Sequence, residues 1–105
     1  MAWTTMTIGR TSDPDRTVAE RAARGDRAAF ADIVAAHQAR VARLAWRLLG
    51  WSHDIEDVVQ DVFVAALEHL PGFRGDSSLA TWLTTIAVNK CRSARRRRVL
   101  RQGFL

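Results

Sequence analysis

The chain has 105 residues, a formal net charge of +5 and a pI near 11.2; 48% of it is hydrophobic and 26% charged. That balance describes one globular domain, excludes wholesale disorder, and favours a polyanionic partner, nucleic acid first and an anionic membrane surface second. A lone cysteine, Cys91, excludes an internal disulfide and fits a reducing, cytoplasmic setting, and no apolar run approaches the roughly 18 residues that span a bilayer.

Residues 1–12 lack the charged start, apolar centre and small-residue cleavage site of a secretory signal and read as a loose N-terminal tail. Asp13-Pro14 reads as an N-cap followed by proline at the first helical position, opening a short helix that stops near Gly25. Asp26 caps a second helix. Along it Phe30, Ile33, Val34, His37, Val41, Leu44 and Leu48 recur at helical spacing, and Gly50 closes it. At 1.5 Å per residue this helix is about 35 Å long, enough to brace the whole domain. Ser52 or Asp54 caps the third, whose buried set is Ile55, Val58, Val59, Val62, Phe63, Ala66, Leu67 and Leu70, and Pro71-Gly72 ends it. Asp76 or Ser77 opens the fourth, with Leu79, Leu83, Ile86 and Ala87 inward. No segment alternates with period two. The expected fold is all-α, a compact bundle of about four helices.

Charge then divides the second half of the chain. Residues 51–70 hold five acids and no Lys or Arg, whereas residues 77–105 hold seven Lys or Arg and no acid. On the third helix Asp57, Gln60, Asp61, Val64 and Glu68 form one stripe. The helix dipole favours Asp54, Glu56 and Asp57 near its start, so a merely solvated face accounts for them. No cation at i+4 balances these acids, however, and a basic partner surface would relieve their repulsion. On the fourth helix Trp82, Thr85, Asn89, Arg92 and Arg96 run along one side, offset from Leu83 and Ile86. Trp82 fits either the core or an exposed base, on which it would stack. The Asn89 amide offers a donor and an acceptor to a base edge, and the arginines attract phosphate without reading sequence. The loop Phe73-Arg74-Gly75-Asp76-Ser77-Ser78 combines a glycine with polar groups beside a helix N-terminus, which suits either a plain connector or a cradle for one flipped base.

Catalysis finds little support. His37, His53, His69 and Cys91 have no metal-ligand spacing, and Asp54, Asp57 and Asp61 lack a paired histidine. No nucleophile–base arrangement or phosphate-cradling motif occurs, so neither an enzyme nor a cofactor is expected. Cys91, between Lys90 and Arg92, reads as a half-buried helical thiol without special chemistry.

Taken in order, Asp54-Ile55-Glu56-Asp57-Val58-Val59-Gln60-Asp61-Val62-Phe63, the loop at 73–78, Thr81-Trp82-Leu83, Ile86-Ala87-Val88-Asn89 and the closing arginines resemble region 2 of bacterial extracytoplasmic-function sigma factors. The resemblance spans roughly residues 26–98. It implies that Asp57, Gln60, Asp61 and Val64 dock on the clamp coiled coil of the large subunit of RNA polymerase. It implies that Phe73, Arg74, Gly75, Asp76 and Ser77 receive a base flipped from the non-template strand of the promoter −10 element. Trp82 and Asn89 would meet the upstream edge of the melted DNA, with Lys90, Arg92, Arg95 and Arg96 on its backbone. An anti-sigma protein is a further implied partner. The same resemblance makes 13–98 the region 2-like domain and 99–105 the start of a linker to a C-terminal domain absent here, as in a truncation. Ala80, Thr84 and Thr85 depart from the aromatic or basic residues frequent in the family. The rival is a helical regulator of another family that binds duplex DNA, although no compact helix-turn-helix spacing is visible.

Overall fold

The structure, a computed structural model, describes residues 11–50 and 54–102. Among them run α1 (Asp13–Ala23), α2 (Arg27–Leu49), α3 (Ile55–His69) and α4 (Leu79–Arg101), with a single 3-10 turn, Leu70–Gly72, after α3. There is no strand among the described residues.

Each helix starts on a side-chain cap. Ser12 Oγ accepts from the Asp15 amide at 3.1 Å, Asp26 Oδ1 from Ala29 at 3.1 Å, Asp54 Oδ1 from Asp57 at 3.2 Å and Ser78 Oγ from Thr81 at 3.1 Å. The caps at Asp26 and Asp54 are the expected ones. Those of α1 and α4 are not: Ser12 replaces Asp13, and Ser78 replaces Asp76 or Ser77. The reason is backbone direction. Ser12 and Ser78 hold the extended conformation from which a cap side chain folds back over the first turn, and Asp13 is already helical. Arg21 adds a 2.7 Å ion pair to Asp26, tying the end of α1 to the start of α2. The Ala29 amide, then Arg21, hold the Asp26 carboxyl below its ordinary pKa.

α2 ends at Gly50, whose φ of 73° favours glycine, and the Gly50 amide donates to the Trp46 carbonyl at 2.8 Å. Arg95 on α4 donates to the Leu48 carbonyl, placing a cation at the negative end of α2. α4 continues through Arg101, beyond the boundary at Arg98.

The core has two parts. The larger joins Ala19 and Ala22 of α1, Ile33 and Val41 of α2, Val59, Val62, Phe63 and Ala66 of α3, Leu70, and Leu79, Leu83 and Ala87 of α4. The smaller, toward the far end of α2 and α4, holds Ala45, Leu49, Val58, Cys91 and Ala94. Alanine at these contacts lets helix axes approach closely. Two expectations are corrected. Leu67 keeps the spacing of the buried set yet is 48% exposed, because it sits at the lip of the α2–α3 contact. Cys91 is fully buried rather than half-buried, and burial raises its thiol pKa. His37 is half-buried, and desolvation, then Arg40, lowers its pKa.

Candidate protein and nucleic-acid interfaces

The fold brings the residues singled out in the sequence to separate surfaces. On α3, Asp57, Gln60, Asp61 and Val64 are all exposed. Asp57, Gln60 and Val64, though not Asp61, border a groove of about 740 Å³ between α2 and α3, walled by Phe30, Val34, Phe63 and Leu67 and edged by Glu56. Val64 is 52% exposed beside Leu67, so the groove carries uncovered apolar surface with acids along its rim. Those acids repel one another: Asp54 first, then Asp61 and Glu56, push the Asp57 carboxyl above its ordinary pKa.

The stripe is less isolated than its helix suggests. Asp54, Asp57 and Asp61 share a smaller cleft, of about 300 Å³, with Arg97 and Arg101 of α4. The counter-charge arrives by tertiary packing, which an i to i+4 reading along one helix cannot see.

The second surface begins at the loop. Phe73 and Trp82 meet with ring centroids 5.1 Å apart at 51°, both half-buried at the edge of the larger core. Trp82 is thus neither a sealed core residue nor a free aromatic; one side packs and the other borders the surface. From it Thr85, Asn89, Arg92 and Arg96 follow at steps of three and four residues, all exposed. The stripe from Trp82 to Arg96 is about 21 Å long at the helical rise. Lys90 and Arg95 leave this line. Lys90 is half-buried and lies about 100° round the helix from Asn89, on the flank shared with Arg97 and Arg101. Arg95 is committed to Leu48. Of the cations expected on a DNA backbone, Arg92 and Arg96 therefore share the face of Trp82 and Asn89.

The loop itself is held open rather than packed shut: Arg74 and Asp76 are exposed, and Phe73, Gly75 and Ser77 are half-buried. Gly75 has φ 78°, which strains any residue but glycine, and a Cβ there would press on Thr11 Cγ2 at 3.0 Å. Contacts from the chain's start brace the loop. The Thr11 amide donates to the Gly75 carbonyl at 3.3 Å, and Asp15 Oδ2 accepts from the Leu79 amide at 3.2 Å. Sequence reasoning missed both, since the partners are far apart in the chain and neither Thr11 nor Asp15 belongs to a recognisable motif.

The departures Ala80 and Thr84 are half-buried, and Thr84 accepts from Arg40 of α2 at 3.3 Å; Thr85 alone of the three lies exposed on the Trp82 stripe. The alternative cap at Ser52 and the residue His53 lie outside the described residues. Among the described residues no cluster of His, Cys, Asp and Glu is placed to hold a metal, and no helix is long and apolar enough to cross a membrane.

The family described as sigma-70 region 2 matches residues 33–101, and the chain belongs to it. It is 43% identical over 79 residues to the ECF RNA polymerase sigma-E factor of Escherichia coli (strain K12), an alignment covering 75% of this chain and 41% of that protein. The chain thus spans about two-fifths of the length of that relative. An engineered region 2 of sigmaE, solved by NMR in complex with GTAAAA, superposes with TM-score 0.75 at 33% identity, covering 90% of this chain and 100% of that one. CnrH in complex with the cytosolic domain of CnrY superposes with TM-score 0.71 at 40% identity, covering 80% and 55% respectively.

Proposed function

We propose that this chain works in the cytoplasm as region 2 of an extracytoplasmic-function sigma factor, joining RNA polymerase core to the promoter −10 element. In this reading α3 docks on the clamp coiled coil of the large polymerase subunit through Asp57, Gln60, Asp61 and Val64. The loop at 73–78 takes in one base of the non-template strand, while Trp82 and Asn89 meet the edge of the melted DNA and Arg92 and Arg96 hold its phosphates. Opening duplex is unfavourable by a few kcal/mol per step, and captured bases offset that cost. The task is binding and needs no catalytic group.

The observation that carries the reading is the continuity of the Phe73–Trp82 pair with the Asn89–Arg92–Arg96 stripe, which joins a loop fit for a base to a face fit for a backbone. The complex of the engineered sigmaE region 2 with GTAAAA supports it. The complex of CnrH with the cytosolic domain of CnrY supports a further protein partner, which this reading takes to be an anti-sigma protein. The test is titration of the chain with a fluorescent −10 non-template oligonucleotide and its single-base variants. The expected result is a base preference and tighter binding to the single strand than to duplex of the same sequence. Tighter binding to duplex favours a regulator of another kind. In parallel, Asp61→Arg should weaken capture of the clamp subunit and spare the oligonucleotide; unchanged capture would reduce the acidic stripe to solvated surface.

A further inference from the structure

α2 carries a second row of arginines that neither surface above accounts for. Arg40, Arg43 and Arg47 follow one another at steps of three and four residues, so they share one face, and all three are exposed. Arg40 fixes where that face points: its guanidinium donates to Thr84 Oγ1 of α4 at 3.3 Å, one residue before Thr85 of the Trp82 stripe. Further along, Arg95 of α4 donates to the Leu48 carbonyl of α2. These two contacts fall in the same chain order, so α2 and α4 run side by side in one direction. The row on α2 therefore accompanies the α4 stripe toward its Arg92–Arg96 end, away from the loop. Charge along this seam has one sign. Residues 33–49 of α2 and 79–101 of α4 contain no Asp or Glu. Among the described residues neither Arg43 nor Arg47 has a hydrogen-bond or ion-pair partner. Like charges gathered in this way raise the local potential, and a polyanion relieves it.

A flexible single strand follows one row of cations, whereas this seam has two. Packed helix axes stand about 8–10 Å apart, and arginines reaching outward from them diverge further. That separation is on the order of the grooves, about 6–12 Å wide, that part the two backbones of a duplex. In the proposed function the melted bases lie at the loop end of α4, so DNA at the Arg92–Arg96 end is still paired. We infer that Arg43 and Arg47, with Arg40 at their head, hold the phosphates of the complementary strand where the duplex has not yet opened. Phosphate contact carries no sequence information, so this grip is indifferent to base identity. The inference rests on the reading of the chain as a −10 binder and adds α2, and paired DNA, to its recognition surface.

The test is fluorescence anisotropy of the 105-residue chain with three probes. These are the −10 non-template oligonucleotide alone, a fork that joins it to an upstream duplex arm, and the same fork with the base pairs of the arm scrambled. Wild type should bind either fork about tenfold more tightly than the single strand. Arg43→Gln/Arg47→Gln should remove most of that gain on both forks and lower their salt slope by about one to two, with single-strand affinity changed less than about twofold. Arg43→Lys/Arg47→Lys, which keeps the charge, should bind the forks within about threefold of wild type, and circular dichroism should show both variants folded. Forks bound no more tightly than the single strand overturn the inference while leaving single-strand binding intact. So does a Gln variant that weakens forks and single strand equally, or weakens neither. Lost capture of the clamp subunit with unchanged fork binding assigns the row to the polymerase and overturns the inference too. A wild-type chain that binds no single strand removes this inference and the proposed function together.

Discussion

The exposed faces of α3 and α4 solve opposite problems with helices that share one core. α3 shows Val64 and Leu67 beside a groove and keeps its charges at the rim; α4 shows charge and amide along its length and keeps one aromatic pair at the end. Apolar burial is short-ranged and barely screened, whereas phosphate attraction falls steeply with salt. On the proposed reading, the α3 face suits a folded protein and the α4 face a flexible polyanion. Salt should therefore separate them, releasing the strand before the clamp.

The largest effect should come from the groove. Val64→Asp/Leu67→Asp replaces the uncovered apolar surface with charge and should weaken clamp-subunit binding about a hundredfold, as calorimetry would show, with oligonucleotide affinity within twofold. Equal losses for both partners would mean that the two faces are not independent. Next in size, Asn89→Ala should cost about 1–3 kcal/mol of discrimination at one base position and leave the salt slope unaltered. A set of single-base variants bound with unchanged ranking would remove Asn89 from base reading. Ser78→Ala removes the cap where loop meets α4 and should lower unfolding free energy by about 1 kcal/mol in urea titration, with oligonucleotide binding falling more than clamp binding. The reverse order would show that the cap serves the bundle alone.

The smallest effect is in pH. Repulsion, chiefly from Asp54, raises the pKa of Asp57, so this carboxyl takes a proton before an ordinary aspartate does as pH falls. Clamp affinity should therefore begin to drop at a higher pH than an ordinary aspartate would dictate, and Asp57→Asn should remove that early phase. For folding the sign is opposite: protonation relieves the repulsion, so the contribution favours the folded state below the ordinary pKa and is lost as pH rises through the raised one. Oligonucleotide affinity should not fall over the same interval.

Much of this comparison is legible in the sequence, and its gaps have identifiable causes. The stripes on α3 and α4 follow from helical spacing alone, because exposed residues three and four apart must share a face. The expected caps of α1 and α4 miss by one or two residues because each sits in a run of chemically equivalent polar residues, and only chain direction separates Ser12 from Asp13 and Ser78 from Asp76 and Ser77. Leu67 defeated periodicity because a residue at the lip of a contact keeps the same spacing as one inside it. Cys91 and Ala94 line the smaller core unannounced, since small side chains amid arginines carry little hydrophobic signal. The approach of Arg97 and Arg101 to the acids of α3, and of Thr11 and Asp15 to the loop, arises only when distant segments pack.

The bond from Asp15 to the Leu79 amide joins residues 64 positions apart, and with the Thr11–Gly75 contact it fastens the recognition loop to the opening turn of the bundle. A loop fastened this way gives up its conformational freedom when the chain folds, not when a ligand arrives. On the proposed reading, a loop set in this way before a base arrives lets more of each contact's strength survive as affinity. Discrimination between bases then reflects fit to a fixed shape instead of a search among many.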